Sequence, residues 1–139
     1  MKLLTKDTDY AIRALLVLAG EEGKYVSARE IAGKQGIPYE YVRKILQKLI
    51  KEEFVASREG GKGGFRLSRA PERIKVVSII KAFQGEIQLS ECVFRKKICP
   101  KRSLCALRKN IERINGLVEK EFGKMTISGL VRDLKKGEK

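Results

Sequence analysis

Residues 27–53 read SAREIAGKQGIPYEYVRKILQKLIKEE, and the fold turns on this stretch. Ser27 offers a hydroxyl acceptor at a helix start, and Glu30 follows three residues later, the capping-box spacing. The helix so opened runs from Ala28 to about Lys34, because Gly36-Ile37-Pro38 breaks it. A second helix is predicted from Tyr39 to Glu53. Val42, Ile45, Leu46, Leu49 and Ile50 fall on one of its faces, and Arg43, Lys44, Gln47, Lys48 and Lys51 on the other. Two short helices joined by a tight, glycine-containing turn form a helix-turn-helix unit.

The flanks extend this unit. Phe54 to Arg58 and Phe65 to Ser68 read as strands around a tip, Glu59 to Gly64, that carries four glycines. A β-hairpin directly after a helix-turn-helix is a wing. Upstream, residues 8–20 form a helix with Thr8 or Asp9 as cap and Ile12, Leu15, Leu16 and Ala19 as its apolar stripe. Downstream, Pro71 closes the hairpin, and Val76 to Phe83 is an amphipathic helix stopped at Gly85. Glu86 to Leu104 has weak periodicity. From about Leu104 to Phe122 a long helix carries Leu104, Leu107, Ile111, Ile114, Val118 and Phe122 at steps of three or four, a stripe that suits a dimer seam. Gly123 should end it. Thr126 or Ser128 opens a last short helix with Ile127, Leu130, Val131 and Leu134 as its apolar face, before a frayed charged tail, Lys135 to Lys139. The expected fold is mainly α with a small β-hairpin. It comprises a winged helix-turn-helix DNA-binding domain (1–85), a cysteine cluster loop (86–104), and a dimerisation helix with a C-terminal helix (105–139).

Charge sets the expected partner. Lys and Arg number 31 against 17 Asp and Glu in 139 residues, a formal net charge of +14, which favours a polyanion such as nucleic acid. No histidine is present, so the usual general base and the commonest zinc ligand are both missing, and no enzyme is expected. The N-terminus turns polar too early for a signal peptide, and the longest apolar stretch, Ala14 to Ala19, is too short to span a bilayer. The expectation is a cytoplasmic protein with no membrane contact and no small-molecule substrate.

In a helix-turn-helix the N-terminal end of the second helix enters the major groove. That nominates Pro38, Tyr39, Glu40, Tyr41, Arg43 and Lys44, since arginine pairs bidentately with guanine and glutamate accepts from cytosine. The plainer alternative packs Tyr41 in the core and leaves the lysines solvated. Ser27 and Ala28 open a helix whose free N–H groups favour a phosphate. On the wing, Arg58, Lys62 and Arg66 surround glycines that let backbone approach a duplex, and a wing arginine can enter the minor groove. The pattern Gly60-Gly61-Lys62-Gly63-Gly64 lacks the Lys-Ser/Thr that completes a P-loop.

All three cysteines, Cys92, Cys99 and Cys105, fall within fourteen residues. Thiolates are the standard iron–sulfur ligands, and a cluster here would need a fourth ligand from elsewhere. Arg95, Lys96, Lys97, Lys101, Arg102, Arg108 and Lys109 surround them, and nearby cations favour thiolate over thiol. Zinc, which favours tighter C-x2-C pairs, a thiol or disulfide switch, and inert packing are the alternatives.

The chain resembles the IscR/NsrR-type regulators of the Rrf family. The likeness is carried by Leu4-Thr5-Lys6-Asp7-Thr8-Asp9-Tyr10-Ala11, by Ile37 to Leu46, by the wing from Val55 to Leu67, by Met125 to Val131, and by the three cysteines. It implies a transcriptional repressor, a homodimer built on the long helix, a two-fold-related double-stranded DNA operator, and an iron–sulfur cluster sensing iron, redox state or nitric oxide. In the IscR branch the cluster is 2Fe–2S and a histidine after the third cysteine completes it; Arg108 stands near that place here. In the NsrR branch an N-terminal aspartate completes a 4Fe–4S cluster, and Asp9 matches it. A 2Fe–2S cluster is the favoured expectation and 4Fe–4S the alternative. A further branch is cluster-free and controlled by a partner protein, but lacks these cysteines.

Overall fold

The computed structural model describes residues 3–21, 23–89 and 102–137, with the backbone alone for residues 102–105. Among these the order is α1 (Lys6–Gly20), α2 (Ala28–Gln35), α3 (Tyr39–Lys51), β1 (Val55–Arg58), β2 (Gly64–Leu67), a 3-10 turn (Pro71–Arg73), α4 (Val76–Gln84), α5 (Arg102–Lys124) and α6 (Ile127–Gly137). The chain is thus mainly helical with one antiparallel hairpin, the winged helix-turn-helix layout.

Helix α1 starts earlier than its apolar stripe predicts. Its cap is Thr5, not Thr8 or Asp9, and the Thr5 hydroxyl accepts from the Thr8 N–H. Thr8 is fully buried, and its own hydroxyl donates to Gln84 Oε1 at 2.7 Å. Ser27 caps α2 as expected, accepting from the Glu30 N–H at 3.1 Å. Gly36 closes α2 with φ 63°, a left-handed conformation that glycine adopts without strain, and its N–H returns to the Ala32 carbonyl. The next residue, Ile37, is buried, and α3 follows at once. Helix α3 ends at Lys51 rather than Glu53. Glu53 itself turns left-handed, φ 65°, and the Ser68 hydroxyl donates to its carbonyl.

The hairpin pairs Val55 with Leu67 and Arg58 with Gly64. Val26 and Phe65 exchange two backbone hydrogen bonds of 2.8 Å, stitching the wing to the segment that leads into α2. Beneath lies one core. Leu15, Ile31, Leu46, Leu49, Ile74, Ile79, Ile80 and Ile127 come from five helices and the α4 approach, and all are essentially inaccessible. Each such side chain contributes roughly 1.5–3 kcal/mol relative to exposure.

Helix α5 runs through Gly123 to Lys124 rather than stopping at the glycine, and Phe122 packs against the core. Thr126 then caps α6, accepting from the Gly129 N–H at 3.0 Å, and α6 continues to Gly137 through the first part of the expected tail. Helix α6 packs on α1 and the 3-10 turn, so the last helix lies against the helix-turn-helix body. The Val76 N–H donates to the Met125 carbonyl and the Ile127 N–H to the Ile74 carbonyl, both at 2.9 Å. Helix α5 is fastened to α4 by Lys81–Glu119 at 2.6 Å, and Asn115 accepts from the Leu89 N–H. Among the described residues nothing covers its other side: Leu107, Ile114 and Leu117 are 55%, 43% and 52% exposed.

Candidate nucleic-acid interface

A groove of about 380 Å³ runs between the start of α2, the outer face of α3 and the wing. Ser27, Ala28, Tyr39, Arg43 and Arg58, all expected from the sequence, line it. Pro38, Glu40 and Lys44 are exposed at the same end of α3. Glu40 meets Arg43 at 4.0 Å, an exposed pair of the kind that leaves the guanidinium available. Lys62 is exposed on the wing tip. Arg66 is exposed on β2, on the hairpin face it shares with Arg58.

Tyr41 does not line the groove. Its hydroxyl donates to the Asp7 carboxylate, its ring meets Tyr10 edge-on with centroids 5.0 Å apart, and the Lys6 ammonium lies 5.3 Å from its centroid. Hydrogen bonding to Asp7 pushes the Tyr41 hydroxyl above its ordinary pKa. This half-buried residue therefore fastens the start of α3 to the start of α1, between the core and DNA-facing alternatives.

Two residues that the sequence motifs do not single out lie in the groove and beside it. Arg29 on α2 lines it and stands 4.4 Å from the Tyr39 ring centroid. Tyr25 lies under Arg58 and Arg66, whose guanidinium carbons are 5.1 and 5.0 Å from its ring. The available signal was strand alternation, which puts residues 58 and 66 on one face, beside an aromatic two positions before the α2 cap.

Of the candidate cluster ligands, Cys92 and Cys99 lie outside the described residues, and Cys105 falls in the first turn of α5. Asp9 is on α1, with its side chain 44% exposed and paired to Arg13 at 3.1 Å. Among the described residues there is no grouping of three or more potential metal ligands. No helix among them is long and apolar enough to cross a membrane.

The Rrf2 profile, described as an iron-dependent transcriptional regulator, matches residues 4–133. The chain is 30% identical over 132 residues to the HTH-type transcriptional repressor NsrR of Streptomyces coelicolor, covering 92% of this chain and 87% of that one. In fold it is similar to CymR, the global cysteine regulator of B. subtilis. There the TM-score is 0.82 and the identity 22%, over 95% of this chain and 98% of that one. It is also similar to IscR of T. potens, with TM-score 0.80 and 24% identity over 100% and 92%. The arginine-lined groove between recognition helix and wing thus sits in a chain that belongs to the Rrf2 family of winged-helix transcriptional regulators, which are DNA-binding proteins and not enzymes.

Proposed function

We propose that this regulator is a cytoplasmic homodimeric repressor that binds a two-fold-related DNA operator and reads iron–sulfur, redox or nitric oxide status through Cys92, Cys99 and Cys105. The observation that carries the DNA half is the convergence of Arg29, Arg43 and Arg58 on one groove bounded by the α2 start, α3 and the wing. Arg43, Lys44 and Glu40 are assigned to the major groove, with Pro38 and Tyr39 beside them. Ser27 and Ala28 are assigned to a phosphate, and Arg58, Lys62 and Arg66 to the flanking groove and backbone. Tyr41 serves by fixing the angle of α3. The exposed Leu107, Ile114 and Leu117 of α5 are the surface that a second copy would cover.

The donor set fits an iron–sulfur cluster: three soft thiols in a run free of acidic residues between Glu91 and Glu112, and one carboxylate to spare. Asp9 is that carboxylate. Its pair with Arg13 is exposed, and such pairs contribute only about 0–1 kcal/mol, so releasing it costs little. With no histidine in the chain, a 2Fe–2S centre, the favoured type, would need Asp9 or another oxygen as fourth ligand; 4Fe–4S is the alternative. When bound, such a cluster supplies a redox-active centre that oxygen or nitric oxide can destroy. In sequence the cysteines stand among Arg95, Lys96, Lys97, Lys101, Arg102, Arg108 and Lys109, whose charge would offset that of a thiolate-bound cluster, and α5, which follows them, would carry any rearrangement to its exposed face.

The test is anaerobic purification followed by iron and sulfide assays, an ultraviolet–visible spectrum, and operator affinity before and after oxidation or nitric oxide. Coloured protein whose DNA affinity changes on treatment is expected, with Cys92→Ala losing the response. A colourless, iron-free protein with unchanged affinity would reject the reading.

A further inference from the structure

Four arginines stand in pairs over two tyrosines, three of them lining the groove and Arg66 beside it on the wing: Arg58 and Arg66 over Tyr25, Arg29 and Arg43 over Tyr39, each guanidinium carbon within cation–π range of its ring. The backbone sets both rings in place. Tyr25 precedes Val26, which is bonded through both N–H and C=O to Phe65 of the wing. The register puts Ala56 opposite Arg66 and Arg58 opposite Gly64, so the two wing arginines are diagonal neighbours on one face. Tyr39 is the first residue of α3; Arg43 follows one turn later and Arg29 comes from α2.

An exposed arginine is mobile, and binding a phosphate freezes it at an entropic cost. Stacking occupies the face of the guanidinium, whereas phosphate binding uses its edge N–H groups. Ring and phosphate therefore do not compete. A guanidinium already held over a ring has lost part of its freedom before DNA arrives.

We propose that Tyr25 and Tyr39 are arginine-positioning residues of the DNA interface, and that Arg29, held over Tyr39, is itself a phosphate contact. This rests on the reading of the groove as a DNA surface. The experiment uses the full chain and a mixed-sequence duplex of about 30 base pairs, long enough for two half-sites. Affinity is measured by fluorescence anisotropy across a salt series. Tyr25→Phe keeps the ring and is expected within about twofold of the parent. Tyr25→Leu keeps bulk without a π-face, and is expected to lose about tenfold with the salt slope unchanged, because both charges remain. Arg29→Ala, at an exposed position, should make the slope shallower by about 0.9. Arginine side-chain NMR gives the independent readout: the Arg58 and Arg66 Nε–H signals should lose order and their ring-induced shift in Tyr25→Leu and keep both in Tyr25→Phe.

Tyr25→Leu binding like the parent, or Tyr25→Phe as weak as Tyr25→Leu, overturns the positioning role. An unchanged slope in Arg29→Ala overturns the phosphate contact. A parent protein that shows no salt-dependent binding to any duplex removes the DNA reading itself, and the role of the rings with it.

Discussion

Replacing Gly64 by alanine is expected to unseat the wing. Gly64 has φ 145°, and a Cβ added there would lie 2.7 Å from the Val26 carbonyl oxygen and 3.2 Å from the Ser27 nitrogen. Both neighbours are backbone atoms, so relief comes only by separating β2 from the segment before α2. That separation opposes the two Val26–Phe65 hydrogen bonds. Losing them costs roughly 1–3 kcal/mol, at ~0.5–1.5 kcal/mol each. A side chain in this region of φ adds about 1–3 kcal/mol. The sum, about 2–6 kcal/mol, is a large part of the ~5–15 kcal/mol that holds a typical domain together. The damage also falls where the wing arginines are set, since Gly64 pairs with Arg58 and is two residues from Arg66. If both lose their phosphates, the salt slope of DNA binding becomes shallower by about 1.8, at ~0.9 per contact. Guanidinium denaturation reads the first effect, and anisotropy titrations at several salt concentrations read the second. Gly61→Ala in the same loop is the control, because its Cβ meets nothing within 4 Å and its φ is not positive. It is expected within about 0.5 kcal/mol of the parent. If Gly64→Ala matched Gly61→Ala in both stability and slope, the claim that Val26 holds the wing would be refuted.

Ile127→Ala removes a fully buried side chain at the start of α6 and is expected to cost about 2–5 kcal/mol, with α6 amides losing protection first in hydrogen exchange. The Glu21–Lys34 pair at 3.0 Å holds Glu21 below its ordinary pKa of 4.5 and Lys34 above its ordinary 10.5. The Glu21 share of stability is present above pH 4.5 and lost as pH falls through its lowered value, while the Lys34 share is present below pH 10.5 and lost as pH rises through its raised one. The melting difference between parent and Glu21→Gln should therefore be flat between those limits and shrink at both ends; a difference independent of pH would contradict the pairing. Leu117→Glu puts a charge on the exposed face of α5, and is expected to leave the circular dichroism spectrum unchanged while sedimentation shows the proposed homodimer dissociating.

The helix-turn-helix and wing were legible because their determinants are local. Ser27 caps within its own turn, Gly36 and Pro38 punctuate, and the α3 stripe from Val42 to Leu49 repeats at helical spacing. Misreadings arose where a distant partner decided. Thr5, Thr8 and Asp9 are all acceptable caps by residue type. The choice falls on Thr5 because Thr8 is drawn inward by Gln84, 76 residues away. The apolar face of α6 was visible, but nothing in it names α1 as its partner. Tyr25 and Arg29 were missed for the same reason, since their stacking partners lie on other elements. Of the three cysteines that the sequence singles out, Cys92 and Cys99 lie outside the described residues.

The fasteners around α5 constrain how a signal at the cysteines could reach DNA. Residues 85–101 connect α4 to α5 in sequence, and both helices are rooted in the DNA-binding body. Gln84 accepts from the Thr5 N–H at 2.9 Å and from the Thr8 hydroxyl, and donates to the Leu3 carbonyl. At the far end of α5, Met125 and Ile127 bond to Val76 and Ile74. Prising the junction of α5 and α6 from the body would break these two backbone hydrogen bonds and expose Ile127, roughly 3–8 kcal/mol together. Coupling free energies between sites in regulatory proteins are typically about 1–3 kcal/mol. A rearrangement within that range leaves each body intact. Among the described residues, the exposed Leu107, Ile114 and Leu117 have no such fasteners, so a change in how α5 meets a second copy would meet far less resistance. On the proposed dimer, the economical response is therefore a rigid-body shift of one protomer against the other. It would alter the spacing of the two recognition helices while the Asp7–Tyr41 bond and the Val26–Phe65 stitch inside each protomer stay as they are.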